Sequence, residues 1–214
     1  MGRSRRLPLE ELAPYLLEPP APLTRVDWRQ VFGNDGPVEL EVGFGKGLFL
    51  VTAAWACPAV NFCGIEVLRK YQLFAATRLA KRGLWNVRLV KADARLFLRD
   101  AVAPASVRAL HVYFPDPWWK KRHLKRRVFT PDFAVQCVRV LWPTGRLHVV
   151  TDVADYFAVI TGLVAAHTRL RPLPPPDSRE PVHDQDYLTN FERKFRKEGR
   201  PIYRAAWEKP EMPS

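Results

Sequence analysis

Five carboxylates fall at one kind of position in this chain. Glu41, Glu66, Asp93, Asp116 and Asp152 each lie at or just past the end of a short apolar run. An acid in that place is most often a helix cap, and any one of the five alone reads that way. Five in series, in a chain whose cations outnumber its acids, fit the rim of a ligand site, because carboxylates accept hydroxyl and amine hydrogens and favour positive charge. The fourth has a setting of its own. Pro115-Asp116-Pro117 holds the acid between two fixed backbone angles, and Trp118, Trp119, Lys120, Lys121, Arg122, Lys125, Arg126 and Arg127 follow. A rigidly held acid beside aromatic faces and a cationic run suits a planar base carried on a polyanion.

The elements that must hold these residues alternate regularly. Val38–Val42 reads as a strand, Gly43-Phe44-Gly45-Lys46-Gly47 as a turn and Leu48–Cys57 as a helix packed on most sides. Strand, glycine turn and helix open a nucleotide-type βαβ unit. Further strands are predicted at Asn61–Glu66, Val87–Ala92, Val107–Phe114 and Arg146–Thr151. Between them fall helices at Leu68–Arg82, stopped by Gly83, and at Leu96–Val102. A third starts at Thr130-Pro131-Asp132 and ends at Pro143-Thr144-Gly145, and a fourth covers Tyr156–His167. Helix periodicity turns Tyr71, Phe74, Ala75 and Leu79 inward. The pattern predicts an α/β fold, a mainly parallel sheet with helices on both faces, in which ligands bind beyond the carboxyl ends of the strands. Residues 1–36 read as an arm with one short helix and mobile first residues, and 37–214 as a single domain. Within it 172–181 is a proline-rich loop, Thr189–Lys197 a polar helix and Ile202–Trp207 the last strand.

The chain has 214 residues, 47% hydrophobic and 26% charged, which excludes a disordered protein. A net charge of +12 points to an anionic partner, nucleic acid ahead of acidic membrane. A charge run is usually a solvated face. The run after Asp116, however, would set phosphates directly over that acid, and Arg193, Lys194, Arg196, Lys197 and Arg200 form a second basic group. Trp118 and Trp119 could stack on bases or, for one of them, enter the core. Cys57, Cys63 and Cys137 show no C-x-x-C pair and no histidine doublet, which excludes a disulfide scaffold and a zinc site and implies buried thiols in a reducing cytosol. The basic N-terminus has no apolar secretory core and no run is long enough to span a bilayer, so a soluble cytoplasmic protein without membrane partners is expected.

Two cofactor classes compete for the glycine turn. A nicotinamide dinucleotide wants a third glycine where this chain has Leu48. S-adenosylmethionine carries no phosphate, but a sulfonium, an ammonium and a ribose diol. Glu66, 19 residues after Gly47, is placed to accept ribose hydroxyls, and Asp93 to reach an adenine edge. Methyl transfer is favoured over hydride transfer.

Taken together, EVGFGKG (Glu41–Gly47), GIE (Gly64–Glu66), ADA (Ala92–Ala94), FPDPWWKKRHLKRR (Phe114–Arg127), Thr151-Asp152 and TNFERKF (Thr189–Phe195) resemble the bacterial tRNA (guanine-N7-)-methyltransferase family. The resemblance covers about Val38 to Trp207 and shows no departure at the motif positions. It implies a Rossmann-like class I S-adenosylmethionine-dependent methyltransferase that forms N7-methylguanosine in the tRNA variable loop. By position, Glu41, Gly43, Gly45, Glu66, Asp93 and Asp116 would hold S-adenosylmethionine, with Asp116 also catalytic. Lys120, Asp152, Thr189, Asn190, Phe191 and Glu192 would bind substrate, which makes 182–214 a substrate-binding segment ending in the last strand. Arg122, His123, Leu124, Lys125, Arg126 and Arg127 would touch RNA; no metal is implied, and monomer and homodimer both stay open. An exocyclic-amine methyltransferase is the first rival, disfavoured by the order Pro-Asp-Pro-Trp. A non-catalytic RNA-binding module and a dehydrogenase stand behind it.

Overall fold

The computed structural model describes residues 6–19, 24–174 and 189–211. The expected mobility of the first five residues, and the stretch 175–188 of the proline-rich connector and tail, lie outside them. In chain order the elements begin with α1 (Leu9–Leu12), β1 (Leu16–Leu17), α2 (Trp28–Phe32), β2 (Val38–Val42), α3 (Leu48–Ala56) and β3 (Asn61–Glu66). Next come α4 (Arg69–Ala80), β4 (Val87–Lys91), α5 (Ala94–Leu96) running into a π turn (Phe97–Ala101), and β5 (Val107–Tyr113). A 3-10 segment (Lys121–Arg126), α6 (Pro131–Val140), β6 (Leu141–Thr151), α7 (Ala154–His167), β7 (Arg171–Leu173), α8 (Asn190–Lys197) and β8 (Tyr203–Glu208) complete the described chain.

The eight strands form one sheet in the order β1-β4-β3-β2-β5-β6-β8-β7. All neighbours from β1 to β6 are parallel, and β8 runs antiparallel to both β6 and β7. From β2 the chain winds outward through β3 and β4, then returns to β5 on the other side, so the crevice between β2 and β5 is the topological switch point. Strand alternation sorts the side chains. Val38, Leu40 and Val42 join Leu110, Val112, Leu147 and Val149 against α6 and α7. Glu39, Glu41 and, in β5, His111 and Tyr113 take the opposite face, where Phe49, Leu50, Leu73 and Leu79 of α3 and α4 pack. Among the described residues no helix is long and apolar enough to cross a membrane.

Local signals account for the ends of these elements. Thr130 Oγ1 accepts from Phe133 N at 3.1 Å and opens α6 with Pro131 in its first turn. Asp27 caps α2, and Gly33 closes it with φ 72°. The structure departs from expectation where pairing is short or tertiary. The arm contributes β1, which pairs with β4 through Leu16 and Leu17. Pro172 and Leu173, expected in a loop, pair with β8 in β7. The turn expected at Pro143-Thr144-Gly145 is an excursion inside β6: Val107 pairs with Leu141 and Ala109 with Arg146, so the residues between bulge out, with Thr144 at φ 64°. In α4 the buried face runs through Gln72, Leu73, Ala76 and Leu79, and Phe74 is exposed. Trp55 leaves α3 exposed on one side, and Cys57 is an exposed thiol, unlike the buried Cys63 and Cys137.

Candidate active site

A cavity of about 530 Å³ opens at the switch point, over the carboxyl ends of β2, β3, β4 and β5. Its floor begins at the glycine turn. Gly45 stands at φ 51°, a left-handed angle that favours glycine, and its N–H reaches Glu66 Oε2 at 3.2 Å. Gly47 stands at φ 67°, and a Cβ there would meet Ala75 Cβ of α4 at 2.7 Å, so its lack of a side chain lets α3 and α4 close together.

The acids at this edge have different environments. Glu66 accepts two backbone N–H groups, from Gly45 and, at 3.0 Å, from Leu68. Glu41 is only 2% exposed, and its Oε2 finds no hydrogen-bond partner among the described residues. Burial, and then the neighbouring Glu66, push its carboxyl well above the usual range. Asp93 caps α5 and is gripped by Arg95, whose Nη2 lies 2.7 Å from one oxygen and whose Nε lies 3.1 Å from the other. That side-chain pairing holds Asp93 below the ordinary carboxylate range. Asp116 sits exposed on the cavity wall. The backbone around it is held at two unusual points, Phe114 at φ 51° and Trp118 at φ 43°. Left-handed angles at bulky residues cost about 1–3 kcal/mol each and cluster where a fold imposes a particular direction on the chain. Here they re-aim the loop after β5 across the cavity mouth.

Behind the wall runs a buried polar row. Arg108 donates to Glu39 Oε1 through Nη2 at 2.6 Å, His111 Nε2 lies 2.8 Å from Glu39 Oε2, and His111 Nδ1 lies 2.8 Å from the Tyr113 hydroxyl. Burial opposes charge on Glu39, but His111 and Arg108 outweigh it and draw the carboxyl down to about 2. With a neutral His111 ring, an ionised Glu39 accepts from Nε2–H and Nδ1 accepts from Tyr113. The row ends at the cavity, because Tyr113 lines it.

The cationic segment forms one lip. Arg126 lies over Trp118, 5.1 Å from its ring centroid, and lines the cavity. Arg127 Nε donates to Pro117 O at 2.6 Å and its guanidinium covers Tyr156. Arg95 Nη1 donates to Lys125 O at 3.0 Å, so the segment leans on α5 and α7. Neither tryptophan joins the core: Trp118 is half-buried and Trp119 is exposed.

The sequence profile of the family described as "Putative methyltransferase" matches residues 35–205. A tRNA (guanine-N(7)-)-methyltransferase of Rhodopirellula baltica is 42% identical over 94% of this chain and 77% of its own length. The enzyme of that name from Myxococcus xanthus is 34% identical over 98% of this chain and 100% of its own. The chain belongs to the tRNA (guanine-N7-)-methyltransferase family. A crystal structure of a 16S rRNA adenine-1408 N1-methyltransferase from Catenulisporales acidiphilia, with cosubstrate S-adenosylmethionine, shares the Rossmann-like fold at a TM-score of 0.57, with 16% identity over 90% of this chain and 95% of that one.

Of the family's motif positions, Glu41, Gly43, Gly45, Glu66, Asp93, Asp116, Arg126 and Thr189 come together around the cavity. Others stand apart. Lys120, Arg122 and Lys125 are exposed, Leu124 is 40% exposed, and His123 packs edge-on to Trp118 at 5.6 Å, all outside the cavity wall. Asp152 ion-pairs with Arg200, and Glu192 is buried against Arg196 and Arg204; neither lines the cavity. Thr189 caps α8, accepting from Glu192 N at 3.0 Å, and Asn190 starts that helix; the side chains of Asn190 and Phe191 lie outside the described residues. Sequence reasoning missed Tyr113, Tyr71, Arg95 and Lys46, which also line the cavity, as does Lys194 of the second basic group. Tyr113 could have been found from alternation along β5, since it shares its face with His111.

Proposed function

We propose that this chain transfers the methyl group of S-adenosylmethionine to N7 of a guanine in tRNA, in the variable loop. The observation that carries the reading is a cavity that joins an orphaned buried acid, Glu41, to the wall bearing Asp116 and a cationic lip. The residues present fit the cofactor. A buried carboxyl with a free oxygen asks for a cationic or hydrogen-donating partner, and the open floor at Gly43, where a Cβ would meet nothing within 4 Å, leaves room for one. Glu41, Glu66 and Asp93, with the turn at Gly43 and Gly45, would hold it. Bound there, S-adenosylmethionine supplies an electrophilic methyl group on a positively charged sulfur.

The remaining chemistry belongs to the protein. Guanine N7 carries a lone pair and no proton, so no general base is required, and the purine gains positive charge as the new bond forms. Asp116, held between two prolines on the cavity wall, orients the base and favours that charge. Trp118 and Phe114 shape the wall against which a planar base aligns, and alignment supplies much of the acceleration. Arg126 stands at the same lip for a phosphate of the RNA backbone.

The test uses methyl-labelled S-adenosylmethionine with unmodified tRNA, followed by separation of the nucleosides. Label in 7-methylguanosine is expected; label in an N6-methylated adenosine would transfer the reading to the exocyclic-amine rival. Asp116→Asn should lower turnover about a hundredfold while tRNA and cofactor affinities stay within about threefold. Near-normal turnover in that variant would remove Asp116 from its role.

A further inference from the structure

The cations around the cavity do not all come from the motif after β5. On the opposite face of the sheet, α4 carries Arg78, and Arg82 follows in the turn just past its end. Arg78 Nη1 donates to the carbonyl of Lys46 at 2.9 Å, which ties this part of α4 to the glycine turn. Arg82 Nη1 donates to Arg78 O at 3.2 Å and stays beside it. Burial, then the like charges of Arg82 and of Arg193 from α8, hold Arg78 below the ordinary guanidinium range. Lys46 and Lys194 are exposed and line the cavity itself.

The fold divides its tail cations by direction. Arg196 and Arg204 turn inward onto Glu192, and Arg200 onto Asp152, where their charge is used within the chain. Lys194 pairs with Glu198 at 3.8 Å within its own helix and also lines the cavity. Gathering like charges costs stability, and an anion bound among them offsets that cost.

We infer that Lys46, Arg78, Arg82 and Lys194 form a second phosphate-binding lip, so that the tRNA backbone is gripped on both sides of the cavity. The motif segment leans on α5 and α7, whereas this lip stands on α4 and α8, with the cavity mouth between them. A strand crossing the mouth meets cations before and after the nucleotide that enters, which favours drawing one base out of its stack into the cavity. The inference rests on the functional reading above and adds where the RNA runs.

Arg82→Glu tests it, because that side chain is exposed and the charge reversal leaves the cavity wall intact. Affinity for unmodified tRNA is measured across a salt series for the wild type, Arg82→Glu, Arg82→Lys and Lys125→Glu, with S-adenosylmethionine affinity measured separately. Arg82→Glu should weaken tRNA binding about tenfold and lower the log–log salt slope by about one, with cofactor affinity unchanged. Arg82→Lys should stay near the wild type. If Lys125→Glu loses tRNA affinity and Arg82→Glu does not, the second lip is wrong and the functional reading stands. If the wild type binds the cofactor but no tRNA at any salt, the functional reading falls and takes this inference with it.

Discussion

Two glutamates on one strand, two residues apart and on one face, meet opposite fates. Glu39, in the middle of β2, has both oxygens engaged, by Arg108 and His111, and its carboxyl lies near 2. Glu41, at the carboxyl edge, keeps an oxygen without a partner among the described residues, and its carboxyl is pushed up. Register makes the contrast sharper. His111 is the β5 neighbour of Glu41, yet its ring turns back to Glu39 with one nitrogen and to Tyr113 with the other. The β3 neighbour of Glu41 is Gly64, which has no side chain to offer. The sheet satisfies its interior acid completely and leaves its edge acid facing a cavity. Buried groups left unpartnered in this way mark sites where binding has been favoured over stability.

Breaking the comparison at its stable end should have the largest effect. Glu39→Ala strips Arg108 and His111 of their acceptor and should destabilise the fold by about 3 kcal/mol, read from urea unfolding. At the other end, Glu41→Gln removes a buried acid whose Oε2 has no partner among the described residues. We expect a gain of about 1 kcal/mol in the cofactor-free protein, seen as a melting temperature higher by a few degrees. A loss there would mean that Glu41 has a stabilising partner after all.

The pH dependence separates the two acids by sign. Glu39 is lowered from an ordinary value of 4.5, so its contribution is full above 4.5 and is lost as pH falls toward about 2. The deficit of Glu39→Ala should therefore shrink over that window. Glu41 is raised, so the folded state keeps a proton that the unfolded chain gives up, and its cost grows as pH rises above 4.5. The advantage of Glu41→Gln should widen in that direction. The smallest effect is expected from Tyr113→Phe, which removes one hydroxyl from the end of the row and should cost about 0.5 kcal/mol.

Much of this was legible in the sequence, and the boundary has physical causes. The βαβ order and the glycine turn follow from apolar runs and spacing, which are local. So does the gathering of Glu41, Glu66, Asp93 and Asp116 at one edge, since strand ends in a parallel sheet share that edge. What escaped depends on distant partners. Strands β1 and β7 are two and three residues long and carry no periodicity to read. The ion pairs of Asp152 and Glu192 could not be read, because Arg200 and Arg204 meet them only through tertiary packing. Phe74 looked buried because periodicity gives a helix a face without fixing its rotation to the residue. The contrast between Glu39 and Glu41 was equally hidden: the same residue type, on the same face, differs in whether Arg108 and the His111 ring reach it.

The most direct test is calorimetric titration of S-adenosylmethionine, without tRNA, into the wild type and into Glu41→Gln. If the unpartnered edge acid is kept for the cationic cofactor, the wild type should bind at least tenfold more tightly than a variant that is itself the more stable protein. Equal affinities, with both proteins folded, would contradict the account.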